Sequence, residues 1–312
     1  MDIQLAHLRT LYAVVRHGSF SRAAEEIHLT QPAVSKQIRQ LERIVGAPLL
    51  ERVGKRAYPN RAAELLLAHA GRALDEIEAG LEGVRQLGGR IAGRIRLGTN
   101  QTSCLYLLPP VFRGFRARYP QVELIVSVED SSEIIKAVVA NELDLGVVTL
   151  PALDRALVSS PLFRGEVVAI APPGAIWRRK RSITARELAQ HPMILYEHAG
   201  RIVRGTRNWF ERGGVNPQPL MRIDSTEVIK NLVSVGLGVS VMDYLAVHPA
   251  VKAGRLAAVQ LDPPLLREMG IIRRRDKPVT PLLATFLAAL DDLRKSLQAS
   301  GSGRAAIPPR RR

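Results

Sequence analysis

Cysteine is nearly absent: Cys104 stands alone among 312 residues. One thiol excludes an internal disulfide framework and fits a reducing compartment, read here as the cytoplasm. Long apolar runs are missing too. No stretch approaches the roughly 18 apolar residues of a membrane span, although an apolar content of 46% suffices for real cores. The opening MDIQLAHLRTLYAVVRHGS lacks a charged start, an apolar block and a cleavage site, and so does not read as a signal peptide. The histidines at 7, 17, 28, 69, 191, 198 and 248 form no HExxH or HxxxH spacing, and GxSxG and GxxxxGK[ST] are absent. Gly236-Leu237-Gly238 follows a helical stretch instead of opening one, so it suits a tight turn and not a dinucleotide fingerprint. These absences argue against an enzyme, a metal site or a bound cofactor. Acidic residues are also in deficit. There are 29 Asp/Glu against 45 Lys/Arg, a formal charge of +16, which favours polyanionic partners.

The charge does not locate the partner's site, because residues 1–90 hold 13 Lys/Arg and 10 Asp/Glu. Pattern does. Ser19 to Glu42 reads SFSRAAEEIHLTQPAVSKQIRQLE. An alanine-rich short helix (Ser21 to Ile27), a turn at His28-Leu29 and a second helix opening at Thr30-Gln31-Pro32 make a helix-turn-helix. Thr30 is a good N-cap, since its hydroxyl accepts a free N–H of the first turn. Pro32 falls where a missing N–H costs little. Val34, Ile38 and Leu41 recur at helical spacing and form an apolar back. Gln31, Ser35, Lys36 and Arg39 occupy the opposite face. In this motif the second helix enters the major groove with its N-terminal end toward the base edges. Gln pairs with adenine, Arg with guanine and Ser with several edges. Gln31, Ser35 and Arg39 are therefore assigned to base or near-base contact, Lys36 to base or phosphate, and Thr30 and Pro32 to the helix entry. The competing reading is an amphipathic helix whose polar face is merely solvated; the shape of the whole segment weighs against it.

Gly46 ends that helix, and Gly54 turns a small hairpin between Leu50 and Tyr58. Arg52, Lys55 and Arg56 near its tip make a basic wing suited to phosphate or an adjacent minor groove. From Gln31 to Arg61 seven Lys/Arg face two Asp/Glu. The first helix, around His7 to His17, supplies Leu8, Leu11, Val14 and Val15 as packing.

Ala23-Ala24, Leu29 to Ser35, Gln37-Ile38, Leu41-Glu42, Gly46 and Leu49 to Arg52 resemble the N-terminal domain of LysR-type transcriptional regulators. The remaining chain has the size and element order of that family, so the resemblance covers about residues 3 to 296. It implies an α+β multidomain chain: a winged helix-turn-helix, a long dimerising linker helix, and a two-lobed α/β effector domain of periplasmic-binding-protein type. It also implies a regulator of double-stranded promoter DNA that answers to a small-molecule effector and assembles with itself as dimers and tetramers. Such a regulator activates through RNA polymerase and in some cases represses its own gene. One departure is visible: the family often follows the wing with Leu-Thr-x-x-Gly, whereas this chain has Tyr58-Pro59-Asn60-Arg61-Ala62-Ala63.

Expected boundaries are 1–59 for the DNA-binding domain, 60–89 for the linker helix, 90–296 for the effector domain and 297–312 for a disordered basic tail. Along the linker Leu66, Ala70, Ala73, Ile77, Gly80, Val84 and Leu87 alternate steps of four and three, a heptad seam for a second copy. Packing of a lone helix on its own domain is the alternative. Gly88-Gly89 would end this helix.

Beyond Ile91 strands and helices alternate, implying parallel sheet with helices on both faces. Lobe I is expected at about 90–163 and 268–296, lobe II at about 164–267, with crossings near Leu162–Glu166 and Leu265–Gly270. A helix is expected over Leu105–Arg118 and a strand over Val167–Ala171, and Thr184-Ala185-Arg186-Glu187 reads as a capping box. Ligands of such sheets sit at the carboxyl ends of strands, beside helix N-termini. That selects Thr102 and Ser131 first, Gln101 and Thr149 next, and with them Ser103, His198 and Arg201, for a small polar or anionic effector. Simple N-capping competes for Ser131, Ser132, Ser225 and Thr226, and an ordinary exposed helix position competes for Arg201 and Arg204. The cluster Arg178-Arg179-Lys180-Arg181 reads as a solvated loop, and Cys104 as a buried small residue.

Overall fold

The computed structural model describes residues 3–54, 56–86, 91–174, 180–197, 200–299 and 304–305. The chain separates into two compact units: Met1–Val84 with Asp276–Pro278, and Arg85–Arg275 with Val279–Arg312.

In the first unit α1 (Leu5–His17), α2 (Phe20–Glu26) and α3 (Gln31–Val45) precede a two-stranded wing, β1 (Leu50–Val53) and β2 (Arg56–Pro59). α1 stops at Gly18, whose φ of 60° is the left-handed conformation that closes a helix without a Cβ penalty. The Ser19 hydroxyl accepts from Arg22 N at 3.4 Å and starts α2. α3 is capped in the same way, Thr30 Oγ1 accepting from Ala33 N at 3.4 Å. His28 in the intervening turn has φ 55°, a conformation costly for any residue with a Cβ. Leu11, Val14, Ala23, Val34, Leu41 and Leu49 are buried together. Each large aliphatic in such a core stabilises by about 1.5–3 kcal/mol. Two small alanines, Ala23 and Ala24, let the three helices approach.

The wing's joint to the linker rests on Asn60. Its Oδ1 accepts from Ala63 N at 3.0 Å, capping α4 (Arg61–Gln86), while its Nδ2 donates to Pro48 O at 2.8 Å. The departure from the familiar Leu-Thr-x-x-Gly segment thus has its own solution. α4 uses its seam in two ways. Leu66 and Ala70 join the core of the DNA-binding head, whereas Ala73, Ile77, Gly80 and Val84 are exposed. Leu87, Gly88 and Gly89 lie outside the described residues.

In the second unit β3 (Gly93–Thr99), β4 (Val122–Val128) and β5 (Leu145–Thr149) are mutually parallel, in the order β4-β3-β5. Two long strands, β6 (Leu157–Ala171) and β11 (Ala257–Arg274), run antiparallel along almost their whole lengths. They carry the chain between lobes, so the sheet is mixed and not parallel throughout. The expected strand Val167–Ala171 is only the last third of β6. β10 (Ser240–Asp243) pairs with that part, and α10 (Tyr244–Lys252), absent from the expected element order, comes next in the chain. Lobe I is covered by α5 (Pro109–Arg118), α6 (Ser131–Val139) and α11 (Pro281–Ala299). Lobe II is built on β7 (Ser182–Thr184), α7 (Ala185–Leu188), β8 (Ile194–Leu195), α8 (Arg201–Arg212), β9 (Met221–Arg222) and α9 (Thr226–Ser234). The lobes keep separate cores. Leu145, Phe115 and Phe286 are packed together in lobe I, and Trp209, Phe210 and Val241 in lobe II.

The single helix expected over Leu105–Arg118 is two pieces. A π-helical turn spans Ser103–Leu107, and α5 restarts at Pro109. Pro109 and Pro110 have no N–H to continue the ladder, so the break falls where they begin. Gly98 and Gly146 allow α6 to lie tightly on the sheet, since a Cβ on either would meet Ile134 Cγ2 at 2.7 or 2.6 Å. α11 extends to Ala299, and Arg304–Ala305 form β12 beside Arg164–Gly165 of β6. The remaining tail positions, and Arg178 and Arg179 of the basic cluster, lie outside the described residues.

Candidate functional site: a DNA-reading helix and an interlobe cleft

On α3 the apolar positions Val34, Ile38 and Leu41 are buried while Gln31, Pro32, Lys36 and Arg39 are exposed and Ser35 is half-buried. Gln31, Ser35 and Arg39 stand one turn apart on one line. Gln31 Nε2 donates to Ser35 Oγ at 3.0 Å, and Arg39 Nε to the Ser35 carbonyl at 3.3 Å. These contacts hold the long side chains along the ridge and leave Arg39's terminal nitrogens available. Gln37, on the inner side, accepts from the buried Thr10 hydroxyl of α1 and so fixes the helix against its support. Glu42 Oε1 accepts from Leu49 N at 2.9 Å, tying the end of α3 to the wing. In the wing Arg56 is exposed, opposite Val53. Arg52 pairs with Ala57 in β1; Lys55 lies outside the described residues. One face of α3 therefore offers amide, hydroxyl and guanidinium groups, and the wing adds the exposed Arg56.

The second site is a cavity of about 280 Å³ between the lobes. Thr149, at the carboxyl end of β5, comes from lobe I; Arg201, Arg204 and Ile202 come from α8; Arg267 and Leu265 come from β11. Thr149 N donates to Ser131 Oγ at 3.1 Å, and Thr149 Oγ1 accepts from Arg267 Nε at 2.8 Å. Arg267 Nη1 also reaches the buried Asp243 Oδ2 at 2.9 Å. Asp243 Oδ1 in turn accepts from Leu245 N and caps α10. Arg267 is thereby oriented and neutralised.

Arg201 and Arg204 differ. Among the described residues neither has a carboxylate partner. Burial first, and the neighbouring Arg204 charge second, pull the Arg201 pKa below its ordinary value, though a guanidinium remains charged at neutral pH. Both sit in the first turn of α8, whose N-cap is Gly200 without a side-chain cap. That end presents free N–H groups and the positive end of the helix dipole. Asp130 of lobe I approaches the same end: a Cβ on Gly200 would meet Asp130 Oδ1 at 3.1 Å. The arrangement can bind an anion by two cations and backbone N–H groups, with one carboxylate opposing.

Of the residues selected from the sequence, Thr149 and Arg201 line this cavity. Ser131 is buried, opens α6 without capping it, and acts on Thr149 through its hydroxyl. Ser225 is an N-cap, accepting from Val228 N, whereas Thr226 Oγ1 pairs with Tyr196 Oη at 2.9 Å. Burial, ahead of the other influences, pushes the Tyr196 phenol up to about 12. Gln101 and Thr102 precede the π-helical turn of lobe I and Ser103 opens it, and none of the three lines the arginine cavity; the buried Ser103 hydroxyl has no partner among the described residues. His198 lies outside the described residues. Cys104 is half-buried, and burial pushes its thiol up, the opposite of an activated thiolate. The sequence reading missed Arg267, Asp243 and Tyr196. Arg267's only local signal is its place in an alternating strand after Pro263-Pro264, and its partner is 24 residues away.

Residues 5–64 match the family described as bacterial regulatory helix-turn-helix protein, lysR family, and residues 88–294 match the LysR substrate binding domain. The chain belongs to the LysR family. The HTH-type transcriptional regulator CbbR of Rhodospirillum rubrum is 32% identical over 292 residues, covering 91% of this chain and 95% of its own. Two solved structures share the fold. ArgP of Mycobacterium tuberculosis has a TM-score of 0.71 at 22% identity, covering 94% of this chain and 98% of its own. LysG of Corynebacterium glutamicum, with bound effector Arg, has a TM-score of 0.64 at 21% identity, covering 94% and 99%. As a LysR-family member this chain is a DNA-binding transcriptional regulator with an effector-binding domain, a self-associating transcription factor and not an enzyme. Among the described residues no helix is long and apolar enough to cross a membrane.

Proposed function

We propose that this regulator reads specific promoter sequences with Gln31, Ser35 and Arg39, assisted by Lys36 and by Thr30 and Pro32 at the helix entry. Arg52, Lys55 and Arg56 hold the DNA backbone. The observation that carries the reading is the hydrogen-bonded Gln31–Ser35–Arg39 line on the exposed side of a helix whose back is anchored. Comparing a cognate promoter duplex with a scrambled one by fluorescence anisotropy at physiological salt tests it; equal affinities would refute sequence reading.

The effector is a small anion held by Arg201, Arg204 and the N-terminus of α8, with Thr149 and the already paired Arg267 shaping the floor. Gln101, Thr102, Ser103 and Ser131 are the lobe I contacts of a ligand extending beyond the arginines, and His198 flanks it. The unneutralised arginine pair supports this reading. Calorimetry of the full-length protein with inorganic phosphate, pyrophosphate and short dicarboxylates tests it. Binding should disappear in Arg201→Ala/Arg204→Ala. Equal binding by wild type and the double variant would move the ligand elsewhere.

The exposed half of the linker seam, from Ala73 to Val84, is proposed to pair with a second copy, and two dimers to form a tetramer on DNA. Two reading heads then engage two half-sites. Effector binding changes the protein only through unequal affinity for two arrangements. The output on this proposal is activation through RNA polymerase in the cytoplasm, with repression of its own gene as a secondary effect.

A further inference from the structure

A second set of side chains joins the lobes apart from the arginine cavity. Tyr106 projects from the π-helical turn of lobe I, and Glu227 and Lys230 lie one turn apart on α9 of lobe II. The Tyr106 hydroxyl donates to Glu227 Oε1. Lys230 Nζ donates to Tyr106 Oη at 2.8 Å and to the two Glu227 oxygens at 2.9 and 3.1 Å. The same ammonium lies 5.0 Å from the Tyr106 ring centroid.

Three features make this more than a surface ion pair. Lys230 is only 8% exposed, so the acceptors around its ammonium have to replace water. The three groups satisfy one another in a closed triangle in which one member belongs to the other lobe. Tyr106 stands in a π-helical turn that ends just before Pro109 and Pro110, and its ring is held by Glu227 and Lys230. Separating the lobes removes one acceptor and the aromatic face from a buried ammonium, and removes the phenol's carboxylate acceptor.

We propose that Tyr106, Glu227 and Lys230 form an interlobe clasp that weights the effector domain toward its closed arrangement by means of the chain's own side chains. An effector then acts on an equilibrium already biased, and the clasp sets how much further closure it can drive. This regulation concerns the cleft proposed above as the effector site, but the clasp itself is testable without any ligand.

Single-molecule energy transfer in the full-length protein reads closure directly. Fluorophores are placed through an unnatural amino acid at the exposed Lys136 on α6 and Arg207 on α8, leaving Cys104 untouched. Tyr106→Phe keeps the ring and removes the hydroxyl. Loss of one charge-assisted bond should raise the open-to-closed ratio by about tenfold, and Glu227→Gln should shift it in the same direction. Circular dichroism and thermal unfolding check that both variants stay folded; the mild Tyr106→Phe change secures the test if Glu227→Gln does not. A distance distribution in Tyr106→Phe identical to the wild type would overturn the clasp. So would a shift in Glu227→Gln alone, because Glu227 and Lys230 also pair within α9. Failure of phosphate, pyrophosphate or dicarboxylates to bind would count against the effector reading and leave these distances unaffected.

Discussion

Arg267 Nη1 and Asp243 Oδ2 lie 2.9 Å apart with side chains only 10% and 3% exposed. A buried pair of this kind adds little to net stability against a well-packed apolar substitute, yet removing one partner leaves the other charge stranded. Asp243→Asn should therefore cost about 3–5 kcal/mol. The double variant Asp243→Asn/Arg267→Met should recover part of it. Urea unfolding of all three variants, including Arg267→Met alone, gives the cycle. Simple additivity would mean that the two groups are not energetically coupled.

Sequence-specific recognition makes a separate demand on α3. Arg39→Ala should lose about 1–3 kcal/mol on the cognate site and relax the preference at one base pair. Arg56→Ala, on the wing, should weaken all duplexes alike and lower the salt slope by about one. Binding titrations at several salt concentrations distinguish the two. A defect confined to one sequence in Arg56→Ala would place the wing on base edges.

What could be read in advance depended on range. The face of α3 was legible because a 3.6-residue period and an N-cap are local signals, and Thr30, Val34 and Ile38 behave as that pattern requires. The capping box at Thr184 and Glu187 was legible for the same reason. The full lengths of β6 and β11 were not, although the expected crossings near Leu162–Glu166 and Leu265–Gly270 fall within them. Each strand runs through two lobes, so its burial changes with its neighbours along its length, and β11 is interrupted in register between Gln260 and Leu265. The cleft's chemistry is likewise assembled from distant positions: Thr149 meets Arg267 across 118 residues of chain. The linker seam was legible as a pattern. Its division between the head core and solvent arises from Leu66 and Ala70 packing in three dimensions, which a heptad count does not contain.

His28 supplies a stability prediction at the turn of the motif. Its φ of 55° places a Cβ-bearing residue where roughly 1–2 kcal/mol is lost relative to the right-handed region. Glycine removes that penalty and adds about 0.5–1 kcal/mol of unfolded-state entropy. His28→Gly should thus stabilise the head by about 0.5–1 kcal/mol, seen as slower amide exchange in α2 and α3. Destabilisation would show that the imidazole contributes contacts outweighing the backbone cost.

Acid stability provides a test of the capping box. Glu187 is lowered to about 2, first by the hydrogen bond from Lys180, then by those from the Thr184 backbone and side chain. A carboxylate with a depressed folded-state pKa stabilises fully above its unfolded value, near 4.5, and loses that contribution as pH falls through about 2. The side chain is 44% exposed, so solvent screening limits the effect to the scale of a helix cap, about 1 kcal/mol or less. Glu187→Gln should flatten the pH dependence of lobe II unfolding between pH 4.5 and 2. A variant that retains the wild-type slope would assign that slope to other acids.

Asp130 opposes the anion reading of the cleft in a way that can be measured. Its carboxylate stands at the N-terminus of α8, where a Cβ on Gly200 would meet it at 3.1 Å. A carboxylate there occupies the positive end of the helix and repels any second anion. Asp130→Asn keeps the shape and removes the charge. The phosphate or dicarboxylate affinity of full-length protein should rise by about fivefold, the equivalent of about 1 kcal/mol for one helix-end charge. The gain should shrink with added salt, because the interaction is screened. If affinity instead fell, Asp130 would be a ligand contact accepting a hydrogen bond, and the effector would carry a donor at that position.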